Sequence, residues 1–303
     1  MSERVIAIDL GATWTRVAVA KPTGEILSLH KWPTPRTSSE ISRSIQEHIR
    51  WLHSQGVDKN AGVGVASVGL LSVRKGMILM APNIGRIRVK IVDAIRSSHD
   101  GEITLLNDCN AAVLGEWMLG AGKNLRNLVY ITISTGIGGG AVVDGRLLMG
   151  KDGNAAEIGH IVLDHESKIR CGCGGYGHWE AMCSGVGLMK LARHITSGGN
   201  WKDAGEIISD FIGNDRRARK VVEIASKLNA AGLASVINAY DPEVVTVGGS
   251  LGLSHNAILV KMAKKHLARY QTVRARIIAT PLGGNAPLLG AAVAAWNPDL
   301  VRV

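Results

Sequence analysis

At 303 residues, with 46% hydrophobic and 20% charged side chains, the chain is long and apolar enough to bury a sizeable core, which excludes the disordered and fibrous classes. A formal charge of +10 raises the question of a polyanionic partner, but the basic runs RRARK (216–220) and KMAKKHLARYQTVRAR (261–276) have almost no aromatic interleaving. They read as solvated helix faces that also favour anionic substrates such as nucleotides, so no nucleic-acid partner is expected. The opening MSERVIAIDLG has no charged-then-apolar leader, and no apolar run approaches bilayer length, so a cytoplasmic protein without a membrane partner is expected.

In chain order, VIAIDL (5–10) reads as a buried strand, GAT as a glycine turn, and TRVAVA (15–20) and EILSLH (25–30) as returning strands. Ile41, Ile45, Ile49 and Leu52 recur at helical spacing and predict an amphipathic helix over about 38–55. GVGVASVG (62–69) and EITLLND (102–108) are two further buried strands, followed by a helix over 110–120. At residue 128 the pattern restarts, with LVYITIS as a strand, TGIGG as a turn, GAVVDG as a returning strand and RLLMG as the start of a third. VVTVGGSLG (244–252) is a strand running into glycines, and helices over 255–269 and 286–296 close the chain. A strand–turn–strand unit written twice, with helices after it, predicts two α/β lobes.

Glycine lets backbone approach a phosphate closely, and successive N–H groups in a tight turn form an anion-binding concavity; threonine adds a hydroxyl donor. DLGATWT (9–15) and STGIGGG (134–140) both have this composition, and Gly248 and Gly249 end a third strand. Neither turn is a P-loop, since no Gly-Lys-Ser/Thr ending occurs, and neither matches the dinucleotide fingerprint. Together they suggest a cleft that closes on the phosphates of a nucleoside triphosphate. The candidate contacts are Gly11, Thr13, Thr15, Thr135, Gly136, Gly138, Gly248 and Gly249, with Asp9 placed to hold Mg²⁺ through water.

The set resembles the ROK family of sugar kinases, repressors and related proteins within the actin-like ATPase superfamily. DLGATWTR is similar to the family's first phosphate segment, STGIGGG to its second, VGGSLG to its adenosine segment, LLNDCNAA to the segment with the catalytic aspartate and GGNAPLLGAA (283–292) to the C-terminal signature. Ala12 departs from the pattern, where a second glycine is usual. The resemblance implies an α/β, two-lobed actin-like ATPase (ribonuclease H-like) fold with duplicated βββαβα lobes and an interlobe cleft. The lobes would span 1–120 and 121–303, with the C-terminal helix 286–303 returning to the first and a hinge near 109–127. It also implies ATP as donor and a homodimer or homotetramer.

By the same resemblance Asp108 is the general base and Asn107 holds a neighbouring sugar hydroxyl. An Asn-Asp pair before a helix also reads as an N-cap. Asn83, in APNIGRIRV (81–89), is the candidate sugar contact of its loop, where Arg86, Ile87 and Arg88 replace the aromatic residue common in the family. Three of the four cysteines fall in EIGHIVLDHESKIRCGCGGYGHWEAMC (157–183), beside His160 and His178. In a cytoplasmic chain they read as metal ligands or free thiols rather than disulfides.

The family pattern implies sugar contacts from Glu157, His160 and Glu180. It implies a structural zinc site from one His and three Cys, which here would be His160, Cys171, Cys173 and, in place of the last Cys, His178. The alternative is a site that has lost its metal. The implied reaction is transfer of the ATP γ-phosphoryl group to the 6-hydroxyl of glucose or a related hexose. N-acetylmannosamine, N-acetylglucosamine and fructose share the hydroxyls addressed. A sugar-responsive DNA-binding regulator is the reading from another class, but only eight residues precede Asp9, where such proteins carry a helix-turn-helix.

Overall fold

The run VIAIDL has no polar side chain before Asp9 and is buried along its whole length as β1 (Val5–Leu10). It turns back through β2 (Trp14–Ala20) and β3 (Ile26–Pro33). The computed structural model describes residues 4–85, 87–196 and 200–301. Helix α1 (Ser38–Ser54) starts at an N-cap, where Thr37 accepts the Glu40 N–H at 3.3 Å. It buries Ile41, Ile45, Ile49 and Leu52, the residues that the helical spacing selected. Each such side chain contributes about 1.5–3 kcal/mol of hydrophobic stabilisation, which is what fixes the helix on the sheet.

The chain continues through β4 (Val63–Ser67), the hairpin β5 (Leu70–Ser72) and β6 (Met77–Met80), α2 (Ile91–Arg96), β7 (Ile103–Asn107) and α3 (Asp108–Leu119). After these come β8 (Leu128–Ile133), β9 (Ile137–Val143) and the two-residue β10 (Arg146–Leu147). Four helices follow: α4 (Trp179–Cys183), α5 (Gly185–Ile195), α6 (Ala204–Ile212) and α7 (Arg216–Tyr240). β11 (Val244–Gly248), α8 (Ser250–Ser254), α9 (Asn256–Leu267), β12 (Arg276–Ala279) and α10 (Ala286–Trp296) complete the order.

Two sheets of five strands result, β3-β2-β1-β4-β7 and β10-β9-β8-β11-β12. In each, the first strand of the repeat pairs antiparallel with the second and parallel with a later strand (β1 with β4, β8 with β11). The restart at residue 128 is therefore a true duplication of strand order. The chain divides into two compact units, Met1–Asn124 with Gly145–Ala155 and Asn285–Val303, and Leu125–Asp144 with Ala156–Gly284.

In the first unit α10 packs across α3 and the sheet at a spacing that only glycine permits. A Cβ on Gly64 would overlap the Ala291 carbonyl, and one on Gly290 would overlap the Ala111 carbonyl. In the second unit Trp179 is fully buried and donates its indole N–H to Asn229 Oδ1 of α7 at 2.8 Å. This pins α4, and with it the neighbouring residues His178 and Glu180. Among the described residues no helix is long and apolar enough to cross a membrane.

Candidate functional site

The first unit collects its candidate residues at one edge of its sheet. β1, β4 and β7 run parallel, with Leu10 opposite Ser67 and Ser67 opposite Asn107. The turn after Asp9 and the Asn107-Asp108 pair thus leave the C-terminal ends of β1 and β7, one on each side of β4, at the sheet edge where ligands bind in parallel α/β sheets. Asn107 caps α3, its Oδ1 accepting the Cys109 N–H at 2.9 Å, and Asp108 is the first residue of that helix. The Cys109 N–H is shared with Asp108 Oδ1, also at 2.9 Å. Asn83 is exposed in the turn after β6, and Arg86 lies outside the described residues.

Asp9 is buried and held by Arg16, whose Nε and Nη2 donate to the same oxygen, Oδ2, at 2.8 and 2.6 Å. Burial pushes the Asp9 carboxyl above its ordinary value, and the Arg16 charge and hydrogen bonds pull against that rise. Arg16 Nη1 continues to Asn285 Oδ1 at 2.9 Å. Sequence reading passed over Arg16. The hairpin register, which sets Asp9 directly opposite Arg16, is the signal that would have found it.

The first turn is shaped from behind. Thr34 donates its hydroxyl to Gly11 O at 2.8 Å and its N–H to Thr13 O at 2.9 Å, and Arg36 Nη1 donates to Ala12 O at 3.3 Å. The Gly11 N–H closes the turn on Trp14 O at 3.1 Å, and with three successive carbonyls held from behind, the Ala12 and Thr13 N–H groups are left to a ligand. Thr13 is exposed beside them, whereas Thr15 is buried and spends its hydroxyl on Thr34 at 2.9 Å.

In the second unit the turn is tighter than the sequence implied. β9 begins at Ile137, so Gly138 is a strand residue opposite Thr132, and only the residues around Ser134–Gly136 form the turn. The Ser134 and Thr135 carbonyls accept the N–H groups of Gly185 and Val186 at the start of α5, at 2.7 and 3.4 Å. Gly248 ends β11, and Gly249 sits at φ 81° before α8, a left-handed conformation natural to glycine.

His160, Cys171, Cys173 and His178 converge, with one ligand atom from each lying within 4.8 Å of all the others. Cys173 Sγ is 3.3 Å from His178 Nδ1 and Cys171 Sγ is 3.8 Å from His160 Nδ1. Tetrahedral zinc with Zn–S near 2.3 Å and Zn–N near 2.0 Å needs ligand atoms about 3.3–3.8 Å apart, a spacing that both of these Cys–His pairs meet. His160 Nε2 faces Glu157 Oε2 at 3.7 Å, as an outer carboxylate would orient a ligating ring. Burial pushes the Glu157 carboxyl up, with His160 opposing and Glu180 adding to the rise. Burial likewise pushes the Cys171 thiol up to about 12.

Glu180 joins this cluster to the second turn: Oε2 accepts the Ile137 N–H at 2.9 Å and Oε1 accepts from Cys171 Sγ at 3.4 Å. A side chain at Gly136 would collide with the Glu180 carboxylate. Cys109 and Cys183 are buried and belong to neither group.

The chain is 36% identical to a glucokinase of Aeropyrum pernix, over 97% of this chain and 98% of that protein. The crystal structure of the ROK hexokinase from Thermus thermophilus superposes with a TM-score of 0.83 at 31% identity, covering 98% of this chain and 99% of that one. A ROK family glucokinase from Streptomyces griseus, solved in complex with glucose and AMPPNP, does so at 0.79 and 30%, covering 97% and 99%. Residues 5–297 match the ROK family as a whole, and with the duplicated actin-like ATPase sheets in place the chain belongs to the ROK family.

Proposed function

We propose that this sugar kinase transfers the γ-phosphoryl group of ATP to the 6-hydroxyl of glucose, with Asp108 as the general base. The observation that carries the proposal is the shared C-terminal edge, where the Asp9 turn leaves β1 and Asp108 follows β7, parallel strands with β4 alone between them. One carboxylate then serves the nucleotide and the other the acceptor alcohol. Asp108 accepts the hydroxyl proton late, as the bond to phosphorus forms, so its carboxylate needs no unusual basicity. Most of the rate comes from alignment and from N–H groups meeting charge on the phosphoryl oxygens. In the first unit the turn that Gly11 opens supplies such donors from Ala12 and Thr13; in the second, Thr135 and Gly136 are the candidates for the same role. In the first unit Asn83 and Asn107 are the candidates for sugar contacts; in the second, Glu157, His160 and Glu180 are.

Asp9 would hold hydrated Mg²⁺, which supplies charge neutralisation at the phosphates. His160, Cys171, Cys173 and His178 would hold a structural Zn²⁺ that cross-links the loop before α4. A metal-bound thiolate has no proton to donate, so Cys171 would release Glu180 Oε1 for a sugar hydroxyl.

The test is a coupled assay with ATP and Mg²⁺ against glucose, fructose, mannose, N-acetylmannosamine and N-acetylglucosamine. Turnover with glucose and ³¹P detection of the 6-phosphate is the expected result. Turnover with none of the panel, or with an N-acetylhexosamine alone, overturns the glucose reading.

A further inference from the structure

Between β3 and α1 the chain runs Thr34-Pro35-Arg36, a segment to which none of the motifs assigns a role. Thr34 holds the carbonyls of Gly11 and Thr13 at 2.8 and 2.9 Å, and Arg36 Nη1 reaches the one between them, Ala12 O, at 3.3 Å. The same Nη1 lies 3.3 Å from Asn83 O and 3.5 Å from Ile84 O, in the loop that carries the candidate sugar contact. These are long, shared bonds, in which one nitrogen with two protons meets three carbonyls; they hold together only while both loops are in place. Pro35 fixes the backbone between the two anchoring residues, so little further ordering is needed to keep Arg36 on target. A second tie runs in parallel, from the Arg88 N–H to Ser38 Oγ at 3.1 Å.

We propose that Arg36 is a positioning residue that couples the sugar loop to the first phosphate turn, so that sugar binding and nucleotide binding each order the other's backbone. The proposal rests on the kinase reading above for the identity of the two ligands. The physical basis is shared ordering entropy: a ligand that stiffens one loop fixes the guanidinium, and the other loop then loses less freedom when its own ligand arrives. Among the described residues the hydrogen bonds of the Arg36 guanidinium go to backbone carbonyls and not to either reacting group. The loss of this bridge therefore weakens the linkage between the sites more than binding at either one.

The experiment measures AMPPNP-Mg²⁺ affinity by calorimetry with and without saturating glucose, in the wild type and in Arg36→Met, Arg36→Lys and Thr34→Val. The wild type is expected to bind AMPPNP about fivefold or more tightly when glucose is present, at the low end of ordinary coupling between linked sites. Arg36→Met keeps the aliphatic stem and is expected to lose that enhancement. Arg36→Lys restores part of it, because an ammonium can still donate to several carbonyls. Thr34→Val, which grips the turn without reaching the sugar loop, weakens AMPPNP binding equally with and without glucose.

Undiminished coupling in Arg36→Met, or coupling lost to the same extent in Thr34→Val, overturns the proposal. Amide hydrogen exchange provides an arm independent of activity. The Gly11, Ile84 and Gly85 amides should exchange about tenfold faster in Arg36→Met while α1 keeps its protection, a local opening rather than unfolding. If the wild type phosphorylates no hexose, the kinase reading fails and the exchange arm alone decides the bridge. Unchanged exchange at those amides then rules it out.

Discussion

Arg16 aims two of its nitrogens at one oxygen of Asp9, Oδ2, at 2.8 and 2.6 Å. The two residues face each other across the β1–β2 hairpin because the four-residue turn sets Asp9 opposite Arg16. Burial of Asp9 opposes its ionisation, and the Arg16 charge is what offsets the penalty. An ionised Asp9 is the form that can hold hydrated Mg²⁺.

Arg16→Gln should therefore shift the acid limb of kcat/KM for Mg-ATP to higher pH, because the group that lowers the Asp9 pKa has been removed. Stability responds with the opposite sign. A folded-state value raised above 3.8 makes the native state weaker as pH climbs through that window, since the charged form is the buried one. Leaving Asp9 without its partner should cost about 3–5 kcal/mol at neutral pH by urea denaturation, the usual penalty for breaking a buried pair. An acid limb that stays in place in Arg16→Gln contradicts this account of Asp9.

The cysteine–histidine cluster predicts one zinc per chain by elemental analysis of protein purified without chelator. Cys173→Ser removes the exposed sulfur of the set and should lower both zinc content and Tm, with prolonged chelation reproducing the drop in Tm. Zinc-free protein with an unchanged Tm contradicts the assignment.

His99 is buried, and its Nε2 meets the Ala61 carbonyl at 2.7 Å while its Nδ1 meets His53 Nε2 at 3.3 Å. Burial, followed by the His53 charge, pushes its pKa below 6.5, with the Ala61 carbonyl, Asp100 and Asp58 opposing. A lowered folded-state value means that stability is complete above pH 6.5 and is lost as pH falls towards the native pKa. His99→Gln, which keeps a donor for Ala61, should flatten the fall in Tm between pH 6.5 and 5. His48, also shifted down by burial, would retain part of that slope. An identical pH dependence in the variant contradicts the assignment to His99.

Close packing of α10 against α3 gives a sharper prediction. A methyl group at Gly290 would meet the Ala111 carbonyl, which is backbone and cannot swing aside. Gly290→Ala should destabilise by about 1–3 kcal/mol or more, the range for overpacking a filled core. Gly284→Ala, two residues before α10 begins and with open room around its Cβ position, should cost far less.

Much of this was legible before the fold was known. The apolar runs at β1 and β8 and the helical spacing of Ile41, Ile45, Ile49 and Leu52 carry their own periodicity, and these elements lie where the spacing put them. Of α7 only the basic start was read as a helix face, because further along it buries residues that are small or polar, such as Ala225, Ser226, Asn229 and Gly232, in place of a regular apolar stripe; α4 to α6 were not read. Gly138 was drawn into the turn by composition, although strand pairing with Thr132 claims it. The ligand-type residues His160, Cys171, Cys173 and His178 were visible because their chemistry is uncommon. Arg16, Thr34 and Arg36 were not, because their roles exist only once strand register and loop placement bring carbonyls and carboxylates to them.

The most direct test of the central claim is the steady-state comparison of wild type with Asp108→Asn, using ATP, Mg²⁺ and glucose and following glucose 6-phosphate by ³¹P NMR. The account predicts glucose affinity within a few-fold of wild type and kcat lower by about 10²–10⁴, the usual contribution of a positioned base. Wild-type kcat in Asp108→Asn would contradict it.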